Sequence, residues 1–180
     1  MTGVGMLPSM AAALACGAVG GLYLAAGVAK LRDPDDFLGT VAAYRLLPGG
    51  LLAPAAWGLA GLETVLGAMM LTGVAVRWAG LAAALLFGVF AAAMAINVLR
   101  GRVNLSCGCL PGLAGARLSW LSVARTLVLV PLALVPVTIG LPGSWLLRGQ
   151  SLVAGACLLA LALSLSHLLS SDGAGEERSA

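Results

Sequence analysis

Long apolar runs constrain this chain more than any other feature. Helix rises about 1.5 Å per residue, so about 20 residues cross roughly 30 Å of hydrocarbon. Runs of that size recur at approximately 10–30, 51–72, 77–99, 118–140 and 147–169, each bounded by charge, glycine or proline. Only 9% of the 180 residues are charged and 61% are hydrophobic, where soluble domains carry about 25% charge. The expected fold is all-α: an integral membrane helical bundle of about five transmembrane helices, a four-helix core plus one. Glycine and alanine inside the runs let helices approach closely where lipid supplies no hydrophobic drive. One domain is expected over residues 1–170, with a polar tail over 171–180 that is too small to form a core. No Lys or Arg precedes the first run, so it lacks the basic region of a secretory signal and reads as a retained helix.

Trp57, Trp78, Trp120 and Trp145 fall near span ends, where amphipathic rings anchor at the membrane interface. Pro131 and Pro136 lie inside the fourth run and predict a kink. The first loop carries its own helix signal. Asp33 is a plausible N-cap, Pro34 follows at the first helical position, and Asp35 and Asp36 fill the first turn. Phe37, Val41 and Tyr44 then share one face, which predicts an amphipathic interfacial helix. Such a helix either anchors the chain at the membrane surface or covers a site formed by the helix ends beneath it.

Five spans put the termini on opposite sides of the membrane. Lys30, Asn97, Arg100, Arg102, Arg117 and His167 then gather on the same side as the tripeptide Cys107-Gly108-Cys109. Arginines at such positions commonly hold loops to headgroups, and His167 at a helix end is commonly just solvated. Cations near a thiol also favour its reactive thiolate, and a histidine beside it can act as acid or base near neutral pH. Glu63, in the middle of the second span, and Arg125, inside the fourth, are costly in hydrocarbon unless paired. Each is the natural partner of the other, as a clamp between helices or as a proton-handling or substrate-binding pair. Cys16 and Cys157 lie inside the first and fifth spans and read as small buried hydrophobes.

Two thiols separated by one glycine can close a small strained ring. Strain makes a disulfide easier to reduce, so this pair suits redox exchange better than stapling. The chemical competitor is a metal. Structural zinc takes four ligands, whereas this loop offers two sulfurs, and no metal site is expected. No Ser-His-Asp set, phosphate-binding glycine loop or carboxylate pair supports hydrolysis or phosphoryl transfer. A net charge of +3 with scattered basic residues argues against nucleic acid as a partner.

Four segments carry a family resemblance: LAAGVAKLRDPDDFLGTVAAYRLLP from Leu24 to Pro48, GLETVLG from Gly61 to Gly67, INVLRGRVNLSCGC from Ile96 to Cys109, and SWLSVARTLVLV from Ser119 to Val130. In this order they resemble the methylamine-utilisation MauE branch of the MauE/DoxX redox-associated membrane proteins, over roughly residues 10–140. Lys30, Tyr44, Glu63, Asn97, Arg100, Cys107, Cys109 and Arg125 carry the match. Leu110 and Pro111 stand where the family tends to have Phe-Gly, and Thr126 stands where it tends to have Asn. The resemblance implies a small helical bundle in thiol-disulfide chemistry beside a thioredoxin-like partner. In the methylamine system it implies help in maturing a disulfide-rich dehydrogenase subunit.

Residue chemistry and resemblance together predict a membrane thiol-disulfide redox protein in which Cys107 and Cys109 cycle. Arg100, Arg102 and Lys30 would favour the thiolate, Asn97 and His167 would support the site, and Glu63 with Arg125 would fix the bundle or relay protons. No cofactor is evident; a quinone would serve as electron acceptor, although no residue demands one. The rivals are a non-catalytic membrane subunit or scaffold that stabilises a partner, and a small-molecule transporter built on Glu63 and Arg125. The expected location is the plasma membrane, in a multi-pass arrangement. Lys30, Arg32, Arg45, Arg100, Arg102, Arg117 and Arg178 lie on the cysteine side, against Arg77 and Arg148 on the other, which places the thiols in the cytoplasm. The implied maturation role places them on the opposite face, where disulfides persist. The two arguments oppose each other.

Overall fold

A computed structural model describes residues 6–103, 105, 118–141, 145–146, 149–150, 152–158 and 160–161. Among the described residues the helices with defined bounds are, in order, α1 (Met6–Arg32), α2 (Pro34–Tyr44), α3 (Gly49–Thr72), α4 (Val76–Leu99) and α5 (Trp120–Ile139). Among the described residues α1, α3, α4 and α5 are long and apolar enough to span a membrane, and further helical residues lie between 145 and 161. The chain is a helical membrane bundle, as the apolar runs require. Connections of a few residues reverse the chain between α3 and α4. Consequently α1 and α4 end, and α3 and α5 begin, on one side.

Local chemistry sets the helix limits. Asp33 caps α2 by accepting from the Asp36 N–H at 3.3 Å, with Pro34 at the first helical position. At its other end Arg45 adopts a left-handed conformation (φ 51°) and donates its N–H to the Ala42 carbonyl. Gly73 at φ 75° ends α3, a geometry that costs glycine least. The Ser119 hydroxyl accepts from the Ser122 N–H at the start of α5.

Backbone contact between small residues orders the bundle. A side chain added at Gly67 would collide with the Leu24 backbone, and one at Gly27 with Thr64, so α1 and α3 touch nearly main chain to main chain. Gly80 in α4 has the same relation to Ala133 in α5. Gly17 and Gly21 of α1 meet Leu152 and Ala156, and Gly155 meets Leu14, which seats the C-terminal helical residues on α1. Tyr23 lies in the core against Phe87, with ring centroids 4.6 Å apart, and donates its hydroxyl to the Ala83 carbonyl at 2.7 Å. That bond removes the penalty of a buried phenol in an apolar interior. The four tryptophans are all exposed, in keeping with anchors.

The apolar face of α2 is turned inward. Phe37 is buried, Val41 and Tyr44 are half-buried, and all three face a cavity bounded by α3 and α4.

Candidate functional site

The best-defined polar feature is an ion pair inside the bundle. Glu63 stands about 21 Å along α3 from Gly49 and about 14 Å from Thr72, deep in the hydrocarbon layer. The Lys30 ammonium donates to both of its carboxylate oxygens at 2.5 Å. Lysine and glutamate side chains are only 7% and 1% exposed. The ammonium is also 4.9 Å from the centre of the Phe37 ring on α2 and 5.4 Å from that of Phe90 on α4, within reach of cation–π attraction. One side chain therefore ties α1 to α3 while α2 and α4 close over it.

This pairing corrects the expectation that Glu63 meets Arg125. Arg125 is exposed, and the buried face of α5 is formed by Val123, Thr126 and Ala133 instead. It lies about 7–8 Å from the α5 start, so its long side chain can reach the interface while its stem covers apolar surface. The physical reason is adjacency: α5 packs chiefly on α4 and α1, while α3 lies against α1. A cation was needed beside Glu63, and the neighbouring helix supplied Lys30. Lys30 is thereby engaged by Glu63. Gly27, one turn before Lys30, sits against Thr64, and this close small-residue contact was the sequence signal that set the two charges at one level.

At the end of α4 the chain turns through Gly101, at φ 70°. Its N–H donates to the Val98 carbonyl, and the Arg102 N–H donates to that of Asn97, both at 3.0 Å. Asn97 is fully buried; its Nδ2 donates to the Ala93 carbonyl at 3.0 Å, while its Oδ1 has no hydrogen-bond partner among the described residues. Arg100 is exposed and Arg102 half-buried beside this turn. The Leu118 N–H then donates to the Val103 carbonyl at 2.9 Å. This bond ties together the two ends of the segment whose sequence contains both cysteines of the tripeptide. Leu118 also packs with Ala91, Met94 and Val123, and Tyr44 and Leu105 pack against that cluster.

Cys107, Cys109, Arg117 and His167 lie outside the described residues. Cys16 is buried, and its thiol donates to the Met70 carbonyl at 3.3 Å, whereas Cys157 is exposed. Among the described residues neither is in a disulfide, and no cluster of His, Cys, Asp or Glu could hold a metal ion.

Residues 8–139 match the family described as methylamine utilisation protein MauE. The chain belongs to the MauE family. The MauE match takes in α1 through α5, including Lys30, Glu63, Asn97 and the Cys-Gly-Cys segment. Relatives agree over most of their length. The chain is 41% identical over 151 residues to methylamine utilization protein MauE of Paracoccus denitrificans, covering 82% of this chain and 81% of the relative. It is 38% identical over 143 residues to that of Methylophilus methylotrophus, covering 79% and 73%. It is 35% identical over 150 residues to that of Paracoccus versutus, covering 82% and 81%. No solved structure matches the chain.

Proposed function

We propose that this MauE-family protein is a multi-pass thiol-disulfide redox protein of the plasma membrane, serving methylamine utilisation by assisting disulfide formation in a partner. Cys107 and Cys109 cycle between disulfide and dithiol and exchange with a thioredoxin-like protein. The observation that carries this reading is the bond between Val103 and Leu118. It joins two described residues that flank the Cys-Gly-Cys segment in sequence, and Arg100 and Arg102 stand just before Val103 in the chain; cations near a thiol favour its thiolate. In each exchange a partner dithiol loses two electrons and two protons as its disulfide forms, and the Cys107–Cys109 disulfide takes them up to become a dithiol. Lys30 and Glu63 hold the bundle rather than react, since their charges are spent on each other.

The test uses cells of a methylamine-utilising strain that lacks its own MauE and carries this chain. Cysteines are trapped with a membrane-impermeant, mass-shifting maleimide, with and without an impermeant reductant, and read at Cys107 and Cys109 by mass spectrometry. Label that appears only after reduction is expected, together with loss of growth on methylamine in the Cys107→Ser/Cys109→Ser variant. Full growth of that variant would leave a non-catalytic stabilising subunit as the better reading.

A further inference from the structure

A cavity of about 290 Å³ lies between α2, α3 and α4. Phe37 and Val41 of α2 stand on one side, Phe90 and Met94 of α4 on the other, and Leu59 of α3 closes the back. The wall is carbon almost throughout, and Thr40 and Tyr44, the lining residues with hydroxyls, already have partners in the protein. Its occupant must therefore be apolar, since a polar group seated here would lose its hydration without replacement. Leu46, Leu47 and Val89 form an exposed rim. Leu46 and Leu47 follow α2 directly, on the side where α4 ends, whereas Val89 stands about 15 Å along α4 from Leu99, at hydrocarbon depth. The opening thus runs from the interface down into the lipid. A partner helix is too wide for it: at roughly 10 Å across, a helix would fill a space of about 290 Å³ within a single turn. One flexible acyl chain fits.

Charge at the mouth indicates which lipid. Arg45 is exposed and stands between the lining residues Tyr44 and Leu46, so a cation sits beside the rim. Its backbone is left-handed, at φ 51°, a helix-ending conformation that glycine ordinarily takes. An arginine kept there at conformational cost points to a use for its side chain. Arg100, also exposed, lies about 9 Å beyond Met94 along α4. The acids of α2 are at its other end, Asp35 and Asp36 being about 13–15 Å along the helix from Arg45. We propose that the cavity seats one acyl chain of an anionic phospholipid whose phosphate pairs with Arg45. Apolar contact alone selects no lipid, because the bilayer is as apolar as the cavity; the preference comes from the headgroup charge. Nothing in this site depends on the thiol chemistry.

The test uses the full chain in phosphatidylcholine nanodiscs containing a trace of phosphatidylglycerol, or of phosphatidylcholine, with a diazirine in its acyl chain. Label from phosphatidylglycerol is expected on the α2 and α4 peptides that line the cavity, about fivefold above that from phosphatidylcholine, the preference that one cation at the membrane surface supplies. Arg45→Gly should remove most of this preference, and Arg45→Lys should keep it. Glycine suits φ 51° better than arginine does, so Arg45→Gly should leave the bundle folded, with the buried Cys16 thiol still protected from maleimide. Ala93→Leu, which fills a half-buried position in the cavity wall, should lower cavity labelling by both lipids severalfold. Equal labelling by the two lipids, an unchanged preference in Arg45→Gly, or label spread as heavily over the exposed α5 residues Leu121 and Val128 would each overturn the proposal.

Discussion

Removing one member of the Lys30–Glu63 pair should cost far more than removing both. With 7% and 1% of the side chains exposed, neither charge can be rehydrated in place. Breaking a buried pair on one side leaves an uncompensated charge and costs about 3–5 kcal/mol, whereas exchanging both partners for apolar residues of similar volume ranges from neutral to about 1–4 kcal/mol stabilising. Lys30→Met and Glu63→Leu should thus each destabilise by several kcal/mol, and the double variant should match the parent or exceed it by up to about 4 kcal/mol. The pair would then show a coupling energy at least as large as the two single losses added together. Cys16, fully buried in the core, provides the readout. In a background with Cys107, Cys109 and Cys157 changed to serine, a fluorogenic maleimide reacts only as the bundle opens, so its midpoint on heating or in denaturing detergent reports stability. Losses in the double variant equal to the sum of the two singles would refute the reasoning, because they would mean that the two side chains contribute independently.

Helix contacts made by glycine give a second set of outcomes. Gly17→Val should destabilise the bundle by about 1–3 kcal/mol, as overpacking does, because its new side chain meets the Leu152 backbone; Gly58→Ala, with open space around it, should be neutral in the same thiol-exposure assay. Asn97→Leu removes the orphaned Oδ1 and should stabilise by about 1–3 kcal/mol, the usual cost of an unmade buried hydrogen bond; a lowered unfolding midpoint would mean that a group from outside the described residues satisfies that oxygen. Replacing Arg100 and Arg102 together by glutamine should slow alkylation of reduced Cys107 and Cys109 severalfold at neutral pH, since fewer cations then favour the thiolate; an unchanged rate would detach these arginines from the thiol chemistry.

Sequence alone determined the four spans found among the described residues, because hydrocarbon thickness translates directly into a length of apolar helix; most of the fifth expected span, 147–169, lies outside them. The expected spans at 51–72 and 77–99 differ from α3 and α4 by at most two residues at either end. It also determined α2, whose start is written in Asp33 and Pro34 and needs nothing beyond four adjacent residues. The need for a cation beside Glu63 was equally legible, since a carboxylate in hydrocarbon requires a partner. Which cation answers it was not. Depth counted along one helix at a time points to Arg125, but pairing depends on which helices touch, and the contacts of Gly27 and Gly67 put α1, not α5, against α3. The inward turn of Phe37, Val41 and Tyr44 was likewise undecided by periodicity, which defines an apolar face without saying whether lipid or protein covers it. Only the tertiary structure placed α3 and α4 opposite that face, and so created both the cover over Lys30 and the cavity beside it, as properties of three helices meeting that no single segment encodes.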